Sequence, residues 1–216
     1  MKMTREFIED ALSGAVVDPR TRALYELCFL HRHHFQDDIV ADKLRMIVRV
    51  CVEQGLKVDD FSPELVAHRL GQSGIDRWFA SLATAEHLDA SLAFEVHKRV
   101  MDVLSDLPVE QARSLASKYL HYHYPELFYI HDVGLESAAH ELGEGECGYL
   151  ARTEHDPVYG AFFACCRKLA DKFAPLCGHR LGPRDLDLVL RAWRDRSASL
   201  APIAVTAVRP RAGLAA

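Results

Sequence analysis

The segment Ser114–Asp132 concentrates the residue types that could carry chemistry. Its sequence, SLASKYLHYHYPELFYIHD, holds four tyrosines, three histidines, one lysine and a terminal aspartate. Aromatic rings can stack on planar ligands, a lysine amine can act as a nucleophile, and a carboxylate can stabilise a positive charge that develops during a reaction. We therefore expect the functional site in this segment.

The elements around this segment have the sequence pattern of helices. Apolar residues recur at spacings of three and four, and a helix is expected over 21–35 as well as on both sides of the loop that begins at Pro125. These two flanking helices are predicted to cover Val109–His123 and Val133–Leu142. Asp132 is also a good candidate for the N-cap of the second.

The whole chain is predicted to be an all-α protein with two helical lobes. At 216 residues it can bury one large core or two small ones. The expected division is an N-terminal lobe over 1–107, a C-terminal lobe with the candidate site over 108–196, and a loosely ordered tail over 197–216.

Composition indicates a globular protein outside the membrane. No apolar run approaches the roughly 18–20 residues that span a bilayer, and MKMTREFIED lacks the apolar stretch of a secretory signal. The six cysteines form no Cys-x-x-Cys pair and are expected to be reduced. We predict a cytoplasmic protein without a membrane partner and, since no phosphate-cradling or dinucleotide motif occurs, without a cofactor.

The net charge of −5 is divided unevenly along the chain. From Arg167 onward there are ten Lys or Arg against four Asp or Glu, a net charge of +6, which leaves −11 for the rest. A basic C-terminal portion could approach phosphate groups. A solvated helix face is the other explanation of the same residues.

Short motifs in the second half resemble the helix-hairpin-helix DNA glycosylases, in particular bacterial relatives of the 8-oxoguanine glycosylase branch. The similarity spans roughly residues 107–195. Its motifs are the following: Ala116–His121, Pro125–Phe128, Ile130–Asp132, Tyr159–Ala170, Gly182–Asp187 and Leu190–Trp193. The resemblance implies a two-lobed helical fold whose cleft receives an extruded base.

The resemblance also implies roles for individual residues. Asp132 matches the family's charge-stabilising aspartate, and Lys118 is the candidate nucleophile or phosphate contact. The family's hairpin glycines do not occur in 106–113, so base excision and nucleic-acid binding without catalysis both stay open. Candidate contacts to DNA are these: Tyr122, His123, Tyr124, Arg180, Arg184, Arg191 and Arg194. Substitution of the basic ones is expected to weaken binding and flatten its salt dependence.

Two other functions compete with nucleic-acid binding. His131-Asp132 resembles the pair of the HD-type phosphohydrolases, and His97 lies 34 residues upstream of it as a further ligand for a divalent metal. No metal is expected if the first interpretation holds. A non-catalytic protein-interaction or regulatory module is the third hypothesis, which the acidic N-terminal region favours because it would repel DNA.

Overall fold

The computed structural model describes residues 2–14, 18–53, 61–84, 90–143 and 155–200. These residues form ten α-helices and no strand, which confirms the predicted all-α class. The helices are α1 (Arg5–Ser13), α2 (Pro19–Leu30), α3 (Asp37–Glu53), α4 (Pro63–Gln72), α5 (Ile75–Thr84), α6 (Ala90–Val103), α7 (Val109–His123), α8 (Val133–Leu142), α9 (Pro157–Cys177) and α10 (Pro183–Leu200).

Side-chain caps determine where several helices begin. The side-chain oxygens of Thr4, Asp18, Ser62, Asp132 and Asp156 each accept a hydrogen bond from a backbone N–H in the first turn of the following helix. Such bonds satisfy amides that have no partner within the helix. The predicted bounds of α7 and α8 are both confirmed.

Helix α2 is shorter than the sequence pattern predicts. The prediction extended it to residue 35, but α2 ends at Leu30, and His31 has φ −120° and ψ 63°. Contacts from other helices hold residues 31–34 outside helical geometry. One of them is the hydrogen bond that Asp76 accepts from the backbone N–H of His34 at 3.2 Å. The Lys43 ammonium donates to the His31 carbonyl.

Helix α10 is longer than predicted. The tail was expected to begin at residue 197, yet the helix continues to Leu200. Neither proline nor glycine interrupts residues 194–200, and arginine and alanine favour helix. The remaining part of the predicted tail, 201–216, lies outside the described residues.

Helix α7 lies at the centre of the molecule. It packs against α2, α3 and α6, and every residue from Ala112 to His123 is buried. On the other side of the core, α1 contacts α9 and α10, and α8 packs between α9 and α10. One hydrophobic cluster draws on helices from both predicted lobes. The division at residue 107 stays a prediction, and the core is continuous across it.

Two properties bear on the expected surroundings of the protein. Among the described helices, none has the length and apolar character to cross a membrane. Cys28, Cys166 and Cys177 are free thiols, whereas Cys165 is disulfide-bonded, so the prediction that all cysteines are reduced is wrong.

Candidate functional site

Lys118 lies inside the protein. Its side chain is 1% exposed, and its Nζ donates a hydrogen bond to Ser114 Oγ at 2.9 Å, one turn earlier on α7. A phosphate or an extruded base would have to displace packed side chains to reach this amine. The burial does not support the roles of Lys118 as a nucleophile or as a phosphate contact, which stay predictions.

Asp132 caps helix α8, as the sequence predicts. Its Oδ1 accepts the Leu135 N–H at 2.8 Å, while Oδ2 is buried and has no hydrogen-bond partner among the described residues. Burial alone would lower the pKa of Arg191, but the charges of Asp187 and Asp132 raise it overall. Asp132 therefore holds a helix end and contributes to the charge balance around Arg191.

Replacing Asp132 separates these two roles. Asp132→Ala should lower the free energy of unfolding by about 1 kcal/mol, whereas Asp132→Ser, which keeps a capping oxygen, should cost only a few tenths. Urea denaturation followed by circular dichroism measures both. If the serine variant loses as much as the alanine variant, the charge on Asp132 matters more than its cap.

The predicted basic contacts differ in their surroundings. Arg191 donates to Asp187 at 2.7 Å and is largely buried, and Arg194 pairs with the adjacent Asp195. Arg191 therefore already has a carboxylate partner, and its contact to phosphate stays a prediction. Arg180 is exposed and pairs with Asp171. Arg184 lies over the ring of Tyr25, with its Cζ 4.9 Å from the ring centroid.

Four of the predicted nucleic-acid contacts line one cavity of about 430 Å³, which we call the aromatic cavity. Its lining residues are Tyr25, Glu26, Phe29, Arg32, Tyr122, His123, Tyr124, Pro125, Glu126, Leu127 and Arg184. The volume lies within the range of about 300–1,000 Å³ that is typical of small-ligand sites. Tyr122 and His123 are buried, so each contributes only a small surface to it.

Hydrogen bonds fix the aromatic walls in place. The Phe128 carbonyl can only accept, so His121 donates to it through Nδ1, at 2.6 Å. Its Nε2 then accepts from the Tyr25 hydroxyl at 2.6 Å. The Tyr25 and Tyr122 rings meet edge to face with centroids 4.8 Å apart. Tyr124 donates to the backbone carbonyl of Phe79 at 3.1 Å. The walls are thus preorganised.

Two arginines place positive charge at this cavity. The Cζ of Arg32 lies 4.9 Å from the Phe29 ring centroid and 5.2 Å from that of Tyr124. Its Nε is buried and has no hydrogen-bond partner within the described part of the chain. Within the described residues, neither Arg32 nor Arg184 forms an ion pair. Arg180, Arg191 and Arg194 each pair with an aspartate. An anionic ligand would supply the missing acceptor.

A buried polar network lies behind the cavity wall at His123. The His123 Nδ1 donates to the Tyr119 carbonyl at 2.7 Å, and its Nε2 lies 3.2 Å from the Lys43 Nζ. His34 donates through Nδ1 to Asp76 Oδ1 at 2.7 Å and accepts the Tyr119 hydroxyl at 2.7 Å. Burial lowers the pKa of Lys43. It also lowers the pKa of His34 to about 4, although the hydrogen bond that His34 donates to Asp76 acts to raise it.

The metal site of the second hypothesis is not formed among the described residues, which contain no group of three or more His, Cys, Asp or Glu placed to hold an ion. The His97 ring stacks on Tyr159 with centroids 3.6 Å apart, and its Nε2 donates to the Arg113 carbonyl at 3.3 Å. His131 lies beside Glu136, with Nε2 and Oε2 3.3 Å apart. The His131 ring meets Phe162 edge to face with centroids 5.0 Å apart, so both histidine rings pack against aromatic side chains.

The chain matches no protein-family model, no curated protein and no solved structure. The site is therefore defined by its own residues. Sequence reasoning missed Tyr25, Phe29 and Arg32, which come from α2 and the turn after it. The sequence did not point to them because they lie about a hundred positions before the segment Ser114–Asp132. Only the packing of α2 on α7 brings the two parts of the chain together.

Proposed function

We propose that this protein binds nucleic acid by taking one nucleotide unit into the aromatic cavity, without base-excision chemistry. The carrying observation is the pair of arginines, Arg32 and Arg184, which lie over aromatic rings of this cavity and have no carboxylate partner in the described structure. A ligand that is both planar and anionic would use the rings and the guanidinium groups together.

The aromatic rings support the planar part of this ligand. Tyr25, Tyr124 and Phe29 line the space, and a base stacked on such a ring gains about 1–3 kcal/mol. Because the hydroxyls of Tyr25 and Tyr124 are already bonded within the protein, their rings lose little conformational freedom when a ligand arrives.

The charges support the anionic part. A charge-assisted hydrogen bond to phosphate contributes about 1.5–3 kcal/mol, and the buried Nε of Arg32 has a donor to offer. Glu26 and Glu126 also line the cavity and accept hydrogen bonds only, so they suit the N–H edge of a base and not its phosphate.

Titration with nucleoside 5′-monophosphates tests this proposal. The wild-type protein should bind them more tightly than the matching nucleosides, and Arg32→Gln/Arg184→Gln should weaken the monophosphates by about ten- to a hundredfold while changing nucleoside affinity little. Intrinsic tyrosine fluorescence or calorimetry reports the dissociation constants.

Arg99→Gln is the matched control. Arg99 also lies over an aromatic ring, with its Cζ 5.3 Å from the Trp78 ring centroid, but it does not line the cavity and pairs with Glu95. Its substitution should leave nucleotide affinity unchanged. A wild-type protein that binds no nucleotide, or equal losses in both variants, would contradict the proposal.

A protein-interaction module is a second candidate. The large apolar side chains of Phe29, Leu30 and Phe35 are 66%, 73% and 75% exposed, and Phe29 lines the aromatic cavity. Exposed apolar groups of this kind are typical of contact surfaces when they cluster. The titration separates the two functions, since an interaction module requires no affinity for nucleotides.

A further inference from the structure

A second cavity of about 350 Å³ shares a wall with the aromatic cavity. Glu126 and Leu127 line both, and the second cavity is otherwise lined by Tyr129, Phe163, Arg167, Arg180, Leu181, Gly182 and Pro183. We call it the basic cavity. A ligand bound in the first would reach the second across these two shared residues.

Two arginines give the basic cavity its charge. Arg167 is exposed on α9 and has no ion pair or hydrogen bond in the part of the chain that the structure describes. Arg180 pairs with Asp171 through Nε at 2.6 Å, which leaves its terminal nitrogens as further donors. Glu126 is the one carboxylate among the lining residues, and it lies at the shared wall.

Tyr129 contributes a side chain that is nearly buried. Its side chain is 5% exposed, and its ring meets Phe163 edge to face at 5.0 Å. The backbone carbonyl of Tyr129 accepts a hydrogen bond from Tyr159, but its hydroxyl has no partner among the described residues. Burial raises the pKa of Tyr129, and the charges of Arg180 and Arg167 act against this rise. The phenol is therefore a donor held near two cations.

The N-terminus of α10 adds to the same field. Gly182 and Pro183 line the basic cavity, and Pro183 begins this helix of 18 residues. The first turn of a helix carries a partial positive charge and unpaired backbone N–H groups, which favour phosphate. The helix end, two guanidinium groups and a phenol therefore line one cavity, and the Glu126 carboxylate lies close to Gly182 at this helix end.

We propose that the basic cavity binds a phosphate group, and that its natural ligand is the phosphodiester of a single strand whose preceding base lies in the aromatic cavity. The assignment of a single strand as the natural ligand rests on the proposed function, whereas the phosphate site does not. The carboxylate of Glu126 disfavours an anion at the shared wall, so a strand would place its phosphates on either side, near Arg184 and near Arg167 and Arg180.

Two probes test the two parts separately. Inorganic pyrophosphate, titrated by calorimetry, should bind the wild-type protein and lose about tenfold or more in affinity in Arg167→Gln/Arg180→Gln. Tyr129→Phe, which removes only the hydroxyl, should lose less in the same direction. A single-stranded tetranucleotide should bind about tenfold or more tightly than a mononucleotide, and the double variant should abolish that advantage while leaving mononucleotide affinity unchanged.

Arg45→Gln is the control, because Arg45 is exposed and paired with Asp42 and Glu64 but lines neither cavity. Unchanged pyrophosphate binding in the double variant overturns the phosphate site. Equal affinity for mononucleotide and tetranucleotide overturns the strand. A third outcome separates the two proposals. If mononucleotides do not bind but the double variant still weakens pyrophosphate binding, the proposed function fails and the phosphate site stands.

Discussion

Asp156→Ala is expected to lower the free energy of unfolding by about 3–5 kcal/mol, the largest loss that any single substitution discussed for this protein should cause. The Asp156 carboxylate lies 3.1 Å from Arg113 Nη2 and accepts a second bond from Arg113 Nε. The side chains of Arg113 and Asp156 are 9% and 5% exposed. Removing the carboxylate leaves an uncompensated cation inside the protein.

The same carboxylate also stabilises local structure. Asp156 Oδ1 accepts the Val158 N–H at 3.2 Å and so caps α9. The backbone carbonyl of Arg113 accepts the bond from His97. The substitution therefore removes an ion pair and a cap together, and it should loosen the contact between α7 and the start of α9. Urea denaturation followed by circular dichroism measures the loss.

An exposed pair provides the matched control. Asp171 is 66% exposed and pairs with Arg180. Asp171→Ala should therefore lower the free energy of unfolding by less than about 1 kcal/mol. A double variant, Arg113→Met/Asp156→Leu, should recover part of the loss because no buried charge is left without a partner. A loss below about 1 kcal/mol for Asp156→Ala would show that Arg113 reaches solvent by moving its side chain.

The sequence was sufficient to predict the helical class and the bounds of α7 and α8. These features depend on local signals: apolar spacing, the break at Pro125, and a capping aspartate at residue 132. The end of α2 could not be predicted in the same way. It depends on contacts from Asp76 and Lys43, which lie on α5 and α3.

The site was predicted only in part, for a reason that lies in α7. All of 112–123 is buried, because α7 packs against α2, α3 and α6. Its polar groups then need partners inside the protein. Many of the chemically suggestive residues, including Lys118, His121 and His123, therefore meet internal hydrogen-bond requirements.

The cavity combines the two kinds of information. Tyr122, His123, Tyr124 and Arg184 were identified from the sequence, and all four line it. Residues of α2 complete it, and their approach is a property of the tertiary structure. Pairs such as Arg113 with Asp156, 43 positions apart, belong to the same class of contact. A single sequence does not show which partner a buried charge will find.

Acid should destabilise this protein steeply, because several of its histidines are buried in the neutral form. Burial lowers the pKa of His97 to about 3 and that of His34 to about 4, and it takes those of His121 and His123 below their usual value of 6.5. In the unfolded chain each would bind a proton near pH 6.5. Below that pH the unfolded state binds more protons, so stability falls as the pH falls.

The pH window follows from these values. Each buried histidine should remove roughly 1.4 kcal/mol of stability per pH unit between its unfolded and folded pKa values. For His34 that window is about pH 6.5 to 4, and for His97 it reaches about pH 3. Above pH 6.5 both states hold a neutral imidazole and the effect vanishes. Urea midpoints measured at several pH values give the slope.

His97→Gln isolates one of these contributions. Glutamine can still donate to the Arg113 carbonyl, but it does not titrate, so the slope of stability against pH should fall by roughly 1.4 kcal/mol per unit below pH 6. The lost stacking on Tyr159 lowers stability equally at every pH and leaves the slope alone. An unchanged slope in His97→Gln would mean that water reaches His97 and lets it take up a proton in the folded protein.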